Sequence, residues 1–159
     1  MEAIILVGGL GTRMKSVNSD LPKSILEIQG NPFLVWLIRL LEKNNVKKII
    51  LCLGIKSELI IECIDRYDFT NIEIVFSVEK EPLGTGGALI HALNHINNDN
   101  FVFMNGDTMF DIPIKQLYST HKNKNNDLTY SLSELETQHT EYGGLSLDKN
   151  GKVTEHVIE

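Results

Sequence analysis

Three stretches of this sequence combine glycine with charged side chains in patterns that suit a phosphorylated ligand. The first is Gly8-Gly9-Leu10-Gly11-Thr12-Arg13, directly after the apolar run at residues 3–7. Glycines let the backbone approach a ligand, and successive N–H groups can form an anion-binding nest. The same glycines also serve a tight turn, and on this motif alone both readings stand. Arg13 favours the first, because arginine occurs only at positions 13, 39 and 66, and a guanidinium fork inside a glycine loop matches phosphate oxygens. Lys23 follows Pro22, which stiffens the backbone there; taken alone it reads as a solvated surface charge. Over residues 1–24, Arg13, Lys15 and Lys23 stand against Glu2 and Asp20, a local 3 − 2 = +1 on a chain of formal net charge −6. The positive charge is local, as a polyanion site on an acidic protein requires.

The second stretch is Glu79-Lys80-Glu81-Pro82-Leu83-Gly84-Thr85-Gly86-Gly87. Glycines at a helix entrance expose backbone donors and acceptors to a flat ligand, or simply let the helix pack close to a sheet. Glu79 adds an acceptor-only carboxylate, which can take the adjacent N1–H and N2 amino donors of guanine together. The third is Asn105-Gly106-Asp107 after a short apolar run. A carboxylate there can reach a Mg²⁺ that bridges phosphates, and can equally well cap a turn. The glycine spacing departs from both GxGxxG and GxxxxGK[ST], which argues against a dinucleotide-dependent oxidoreductase.

The elements that must position these residues alternate between strand and helix. Residues 3–7, 48–53, 72–78 and 101–104 read as strands. Helices are expected at 33–41, opened by Asn31 as N-cap with Pro32 at N1; at 57–67, capped by Ser57; at 85–96; and at 113–121. This order implies a mainly parallel, Rossmann-like α/β sheet with helices on both faces. Residues 127–132 read as one more strand, and 143–147 with 152–157 as a hairpin around Asp148-Lys149-Asn150-Gly151. His91 and His95 read as surface residues, and Cys52 and Cys63 as buried reduced thiols.

The length of 159 residues, 42% hydrophobic and 23% charged, suits a single globular domain. Its acidic balance argues against general nucleic-acid binding. No apolar stretch is long enough to span a bilayer, and no basic n-region or long h-region marks a signal peptide. The expectation is a cytoplasmic protein without nucleic-acid or membrane partners. Its oligomeric state is open, a homo-oligomer included.

The run LVGGLGTRM, then PKS, EPLGTGGAL and NGD, resembles the sugar-1-phosphate nucleotidylyltransferases over residues 2–111 and weakly beyond. The pairing of PLGTGGA with NGDTMFDI is most similar to heptose 1-phosphate guanylyltransferases, with mannose-1-phosphate guanylyltransferases next. Val7 stands where that family has alanine, and Ser24 where it has proline. The resemblance implies that Leu6, Gly8, Gly9, Gly11, Thr12 and Arg13 hold the nucleotide. It makes Arg13 and Lys23 the catalytic cations on its phosphates, and Asp107 both catalytic and the Mg²⁺ ligand. Glu79, Pro82, Gly84, Thr85 and Gly86 would lie against the base, and Tyr142 and Gly143 would meet the sugar. The implied reaction joins a nucleoside triphosphate, with GTP preferred, to a sugar 1-phosphate of heptose or mannose, giving the nucleotide sugar and pyrophosphate. The family pattern continues past residue 159, so the expectation is one nucleotidyltransferase domain truncated at its C-terminus, with most of the sugar-binding part missing. A nucleotide-binding regulatory chain or inactive fragment is the second reading.

Overall fold

A computed structural model describes residues 1–8, 21–133 and 144–157. The chain divides into two compact units, Met1–Thr129 and Tyr130–Glu159.

In the first unit, β1 (Glu2–Leu6) pairs in parallel with β4 (Lys48–Leu53) on one side and β6 (Val102–Asn105) on the other. β4 in turn pairs with β5 (Glu73–Val78), giving the order β5-β4-β1-β6. β1 and β4 are near-continuous apolar runs because both faces of the sheet are covered. Ala3, Ile5, Ile49, Leu51 and Leu53 point to one face, into a cluster with Leu34, Leu37, Ile38 and Leu41 of α1 (Phe33–Lys43) and Ile60 and Ile64 of α2 (Ser57–Ile64). Ile4, Ile50 and Cys52 point to the other, against Ala88 and Ala92 of α3 (Gly84–Ala92). The expected parallel sheet with helices on both faces is the observed architecture.

Two expected caps are absent. β2 (Glu27–Ile28) and β3 (Asn31–Pro32) form a two-residue antiparallel hairpin that turns through Gln29 and Gly30, both at positive φ. Asn31 is therefore engaged in a ladder, and Pro32 occupies the cap position of α1 with no side-chain cap bond. Trp36 Nε1 donates to Ile28 O at 2.9 Å and fastens the hairpin to α1. Ser57 is the first residue of α2, and Lys56, at φ 63°, takes the cap position. The third helix ends at Ala92 and tightens into a 3₁₀ turn, Leu93–His95. After β6 comes α4 (Ile114–Lys124).

Residues 127–132 are not a strand. Thr129 Oγ1 engages the side chains of His121 and Asn126 instead of a ladder, and Leu128, Tyr130 and Leu132 are exposed. In the second unit, β7 (Gly144–Leu147) and β8 (Val153–Val157) form the expected antiparallel hairpin. Asp148 Oδ1 accepts the N–H groups of Asn150 and Lys152, which closes its turn.

Candidate functional site

In a parallel sheet all strands end on the same edge, so residues just past each strand meet there. Chain order moves from β1 outward through β4 to β5, then crosses back to β6 on the far side of β1. That reversal opens a crevice at the carboxyl ends, where open α/β sheets bind ligands. A cavity of about 430 Å³ occupies this place, within the usual range for a small-molecule site.

β1 delivers Leu6, Val7 and Gly8 to its wall, β4 delivers Cys52, and β6 delivers Asn105, Gly106 and Asp107. Gly106 is required here. Its N–H donates to Leu6 O at 2.7 Å, and a Cβ at this position would lie 2.7 Å from the same oxygen. The close crossing fixes where the chain leaves β6 and so where Asp107 stands. The Asp107 carboxylate is exposed, and its Oδ1 accepts a bond from Thr108 Oγ1 at 3.2 Å.

Lys23 and Ser24 reach the same cavity from a 3₁₀ turn, Lys23–Ile25, that packs against α1 and α2. Ile25, 8% exposed, anchors that turn in the core. Glu79 follows β5 and is tied by its own N–H to Leu53 O at 2.8 Å. One of its carboxylate oxygens, Oε2, accepts the Leu83 N–H at 2.9 Å, which folds residues 79–83 into a tight approach to α3. Gly84, at φ 69°, opens α3 in a conformation that favours glycine. No side chain caps this helix, so its first-turn N–H groups are unclaimed by any cap. Pro82, Gly84, Thr85 and Ala88 complete the lining.

Of the residues singled out from sequence, Leu6, Gly8, Lys23, Glu79, Pro82, Gly84, Thr85 and Asp107 converge on one cavity. Gly86 lies in the first turn of α3, outside the lining. Gly9, Gly11, Thr12, Arg13, Tyr142 and Gly143 lie outside the described residues.

Cys52 and Ser24 were not anticipated as lining. Register places the first: Leu6 pairs with Cys52, the penultimate residue of β4, so both reach the cavity from neighbouring strand ends. Its Sγ donates to Ala88 O at 3.7 Å. Burial, with the Glu79 carboxylate nearby, pushes the thiol up to about 11. It is a free, protonated, buried cysteine, and Cys63 is a free, half-buried one. Nothing in the run Pro22-Lys23-Ser24 announces the second.

Among the described residues no cluster of three or more His, Cys, Asp or Glu side chains is arranged to hold a metal. Asp107 offers a single carboxylate. That suits Mg²⁺, which keeps several waters and binds through one or two carboxylates plus substrate phosphates. No described helix is long and apolar enough to cross a membrane.

The family model for "Nucleotidyl transferase" matches residues 2–157. A D-glycero-alpha-D-manno-heptose 1-phosphate guanylyltransferase of Campylobacter jejuni is 46% identical over 117 residues, 74% of this chain and 52% of its own length. A protein of the same description from Aneurinibacillus thermoaerophilus is 42% identical over 135 residues, 85% of this chain and 58% of its own. The chain thus spans a little over half the length of these relatives. Among solved structures, HddC from Yersinia pseudotuberculosis, complexed with GMP-PN, superposes with a TM-score of 0.80 at 33% identity, covering 99% of this chain and 69% of that one.

Proposed function

This chain belongs to the nucleotidyl transferase family, and from that premise we propose that its carboxyl-edge cavity binds a nucleoside triphosphate, GTP in preference, for transfer of the nucleotidyl group to a sugar 1-phosphate of the heptose or mannose type. One observation carries the reading. Four motifs spread over a hundred residues bring Gly8, Lys23, Glu79, Gly84 and Asp107 to one cavity. The guanylyltransferase activities of the relatives and the GMP-PN held by the Yersinia structure support it.

In this reading the base lies at the Glu79–Thr85 end. Glu79 Oε1 and the second lone pair of Oε2 accept from guanine N1–H and its amino group, while the uncapped N–H groups of α3 donate to O6 or N7. The phosphates lie toward Gly8 and Lys23, with Arg13 on the triphosphate. Tyr142 and the backbone of Gly143 meet the sugar. Asp107 would hold Mg²⁺, which when bound neutralises phosphate charge.

The reaction needs little more than placement. An anionic oxygen of the sugar phosphate attacks the α-phosphorus, a new P–O bond forms, and the bond to the bridging oxygen of the β-phosphate breaks. Pyrophosphate carries the electron pair away. The nucleophile is already anionic at pH 7, so no general base is required. What remains is to align two polyanions and stabilise developing charge with Lys23 and Arg13. The proposed setting is the cytoplasm, where nucleoside triphosphates are supplied.

The test is pyrophosphate release from GTP and mannose or heptose 1-phosphate in Mg²⁺, run beside a binding titration. Release with formation of a GDP-sugar supports the proposal. Nucleotide binding without release would leave a binding or regulatory chain, and neither signal would overturn the assignment.

A further inference from the structure

Ser24 is the one described residue with a buried side-chain polar atom that lacks any partner: it is 4% exposed, and its Oγ makes no hydrogen bond. A buried hydroxyl left unsatisfied costs about 1–3 kcal/mol, so it calls for a partner that the described residues do not provide. Two further observations say where that partner comes from. Ser24 lines the carboxyl-edge cavity, and its neighbour Lys23 is the only cation among the described lining residues. The 3₁₀ turn holding both is anchored by Ile25 in the core and by Ile25 N–H to Pro22 O at 3.1 Å, so the pair is placed before any ligand arrives.

We propose that the Ser24 hydroxyl is a phosphate-binding group, donating to a non-bridging oxygen of the nucleoside triphosphate beside Lys23. The inference rests on the assignment of the cavity to a nucleoside triphosphate and adds a residue to it. Serine has three staggered χ1 wells, so this hydroxyl can reorient to meet a ligand in the cavity it lines with no change in the backbone. The phosphate end is favoured over the base end because Lys23 draws the anionic part of the ligand to this wall, while Glu79 repels it from the other. A neutral O–H beside an ammonium also adds a directional contact to a point charge that has none.

The experiment compares the wild-type chain with Ser24→Ala in titrations with GTP, GMP and guanosine at fixed Mg²⁺, together with thermal melts without ligand. The expected result is GTP affinity lower by roughly tenfold in the variant, the size of a lost hydrogen bond to a charged group, with guanosine affinity unchanged. The ligand-free variant should melt no lower than wild type, since alanine removes an unsatisfied group. Equal GTP affinity in both proteins would overturn the role of Ser24 while leaving the cavity assignment intact. Equal losses for GTP and guanosine would also overturn it, as a packing effect. Failure of the wild-type chain to bind any nucleoside triphosphate would overturn the cavity assignment itself, and Ser24 with it.

Discussion

Glu79 and Asp107 put two negative charges into a cavity whose described lining supplies one positive charge, Lys23, a sum of 1 − 2 = −1. In the proposed reading, Arg13 of the glycine loop and a divalent ion at Asp107 offset that charge for a triphosphate. Asp107→Asn should therefore reduce the enhancement of GTP binding by Mg²⁺, while binding in chelator changes little or improves; titrations with and without Mg²⁺ measure both. Glu79 Oε2 already accepts the Leu83 N–H, so in the proposed reading only the remaining lone pairs of this carboxylate are left to a base. Glu79→Gln keeps the size but replaces one acceptor with a donor. Its selectivity for GTP over UTP should fall by about tenfold, read from the ratio of affinities. The types of these residues were legible in the sequence because carboxylates and lysines beside glycine are conspicuous. Cys52 and Ser24 were not, since nothing in an apolar run or a Pro-Lys-Ser turn says which side chain a register or a helical turn will aim at a cavity.

At the scale of elements, the cavity depends on how the strands are held at both ends. The start of β1 is fixed by Glu2, 5% exposed, whose carboxylate accepts from the backbone N–H groups of Asn97 and Asn98 and from both their side-chain amides. Burial raises the pKa of this group, but the hydrogen bonds from Asn98 and Asn97 and the nearby Lys48 outweigh it and leave the carboxyl below its ordinary value of 4.5. A carboxyl depressed in the folded state contributes stability above its unfolded pKa and loses it as pH falls through the folded value. Wild-type stability should thus drop below about pH 4.5, and Glu2→Gln should flatten that part of the profile at some cost in stability at pH 7; urea melts from pH 3 to 7 test this. At the other end, Gly106→Ala forces a methyl within 2.7 Å of the Leu6 carbonyl. It should destabilise the chain by about 1–3 kcal/mol and weaken nucleotide binding as Asp107 shifts, both measurable in one melt series. The long strands were readable because burial on both faces writes an unbroken apolar run. The β2–β3 hairpin was not, because two-residue strands have no periodicity. The alternation of Leu128, Tyr130 and Leu132 misled for a related reason: it describes a half-buried strand only where a neighbouring strand accepts it.

For the whole molecule, the first compact unit, Met1–Thr129, carries every described residue that lines the cavity. The chain's formal charge of −6 gives no general attraction for polyanions, so the proposed affinity for a nucleotide is a local property of the site. The broad architecture followed from the order of apolar runs and glycine breaks, whereas the contents of the cavity required the strand order that brings β6 back beside β1. The claim that binds these scales together is that the cavity reads guanine through Glu79 and the N-terminus of α3. Thermal stabilisation of the chain by GTP, ATP, CTP, UTP and dTTP at equal concentration and matched Mg²⁺ tests it most directly. The largest rise in Tm is expected with GTP; a larger rise with ATP, CTP, UTP or dTTP would contradict this reading of the base.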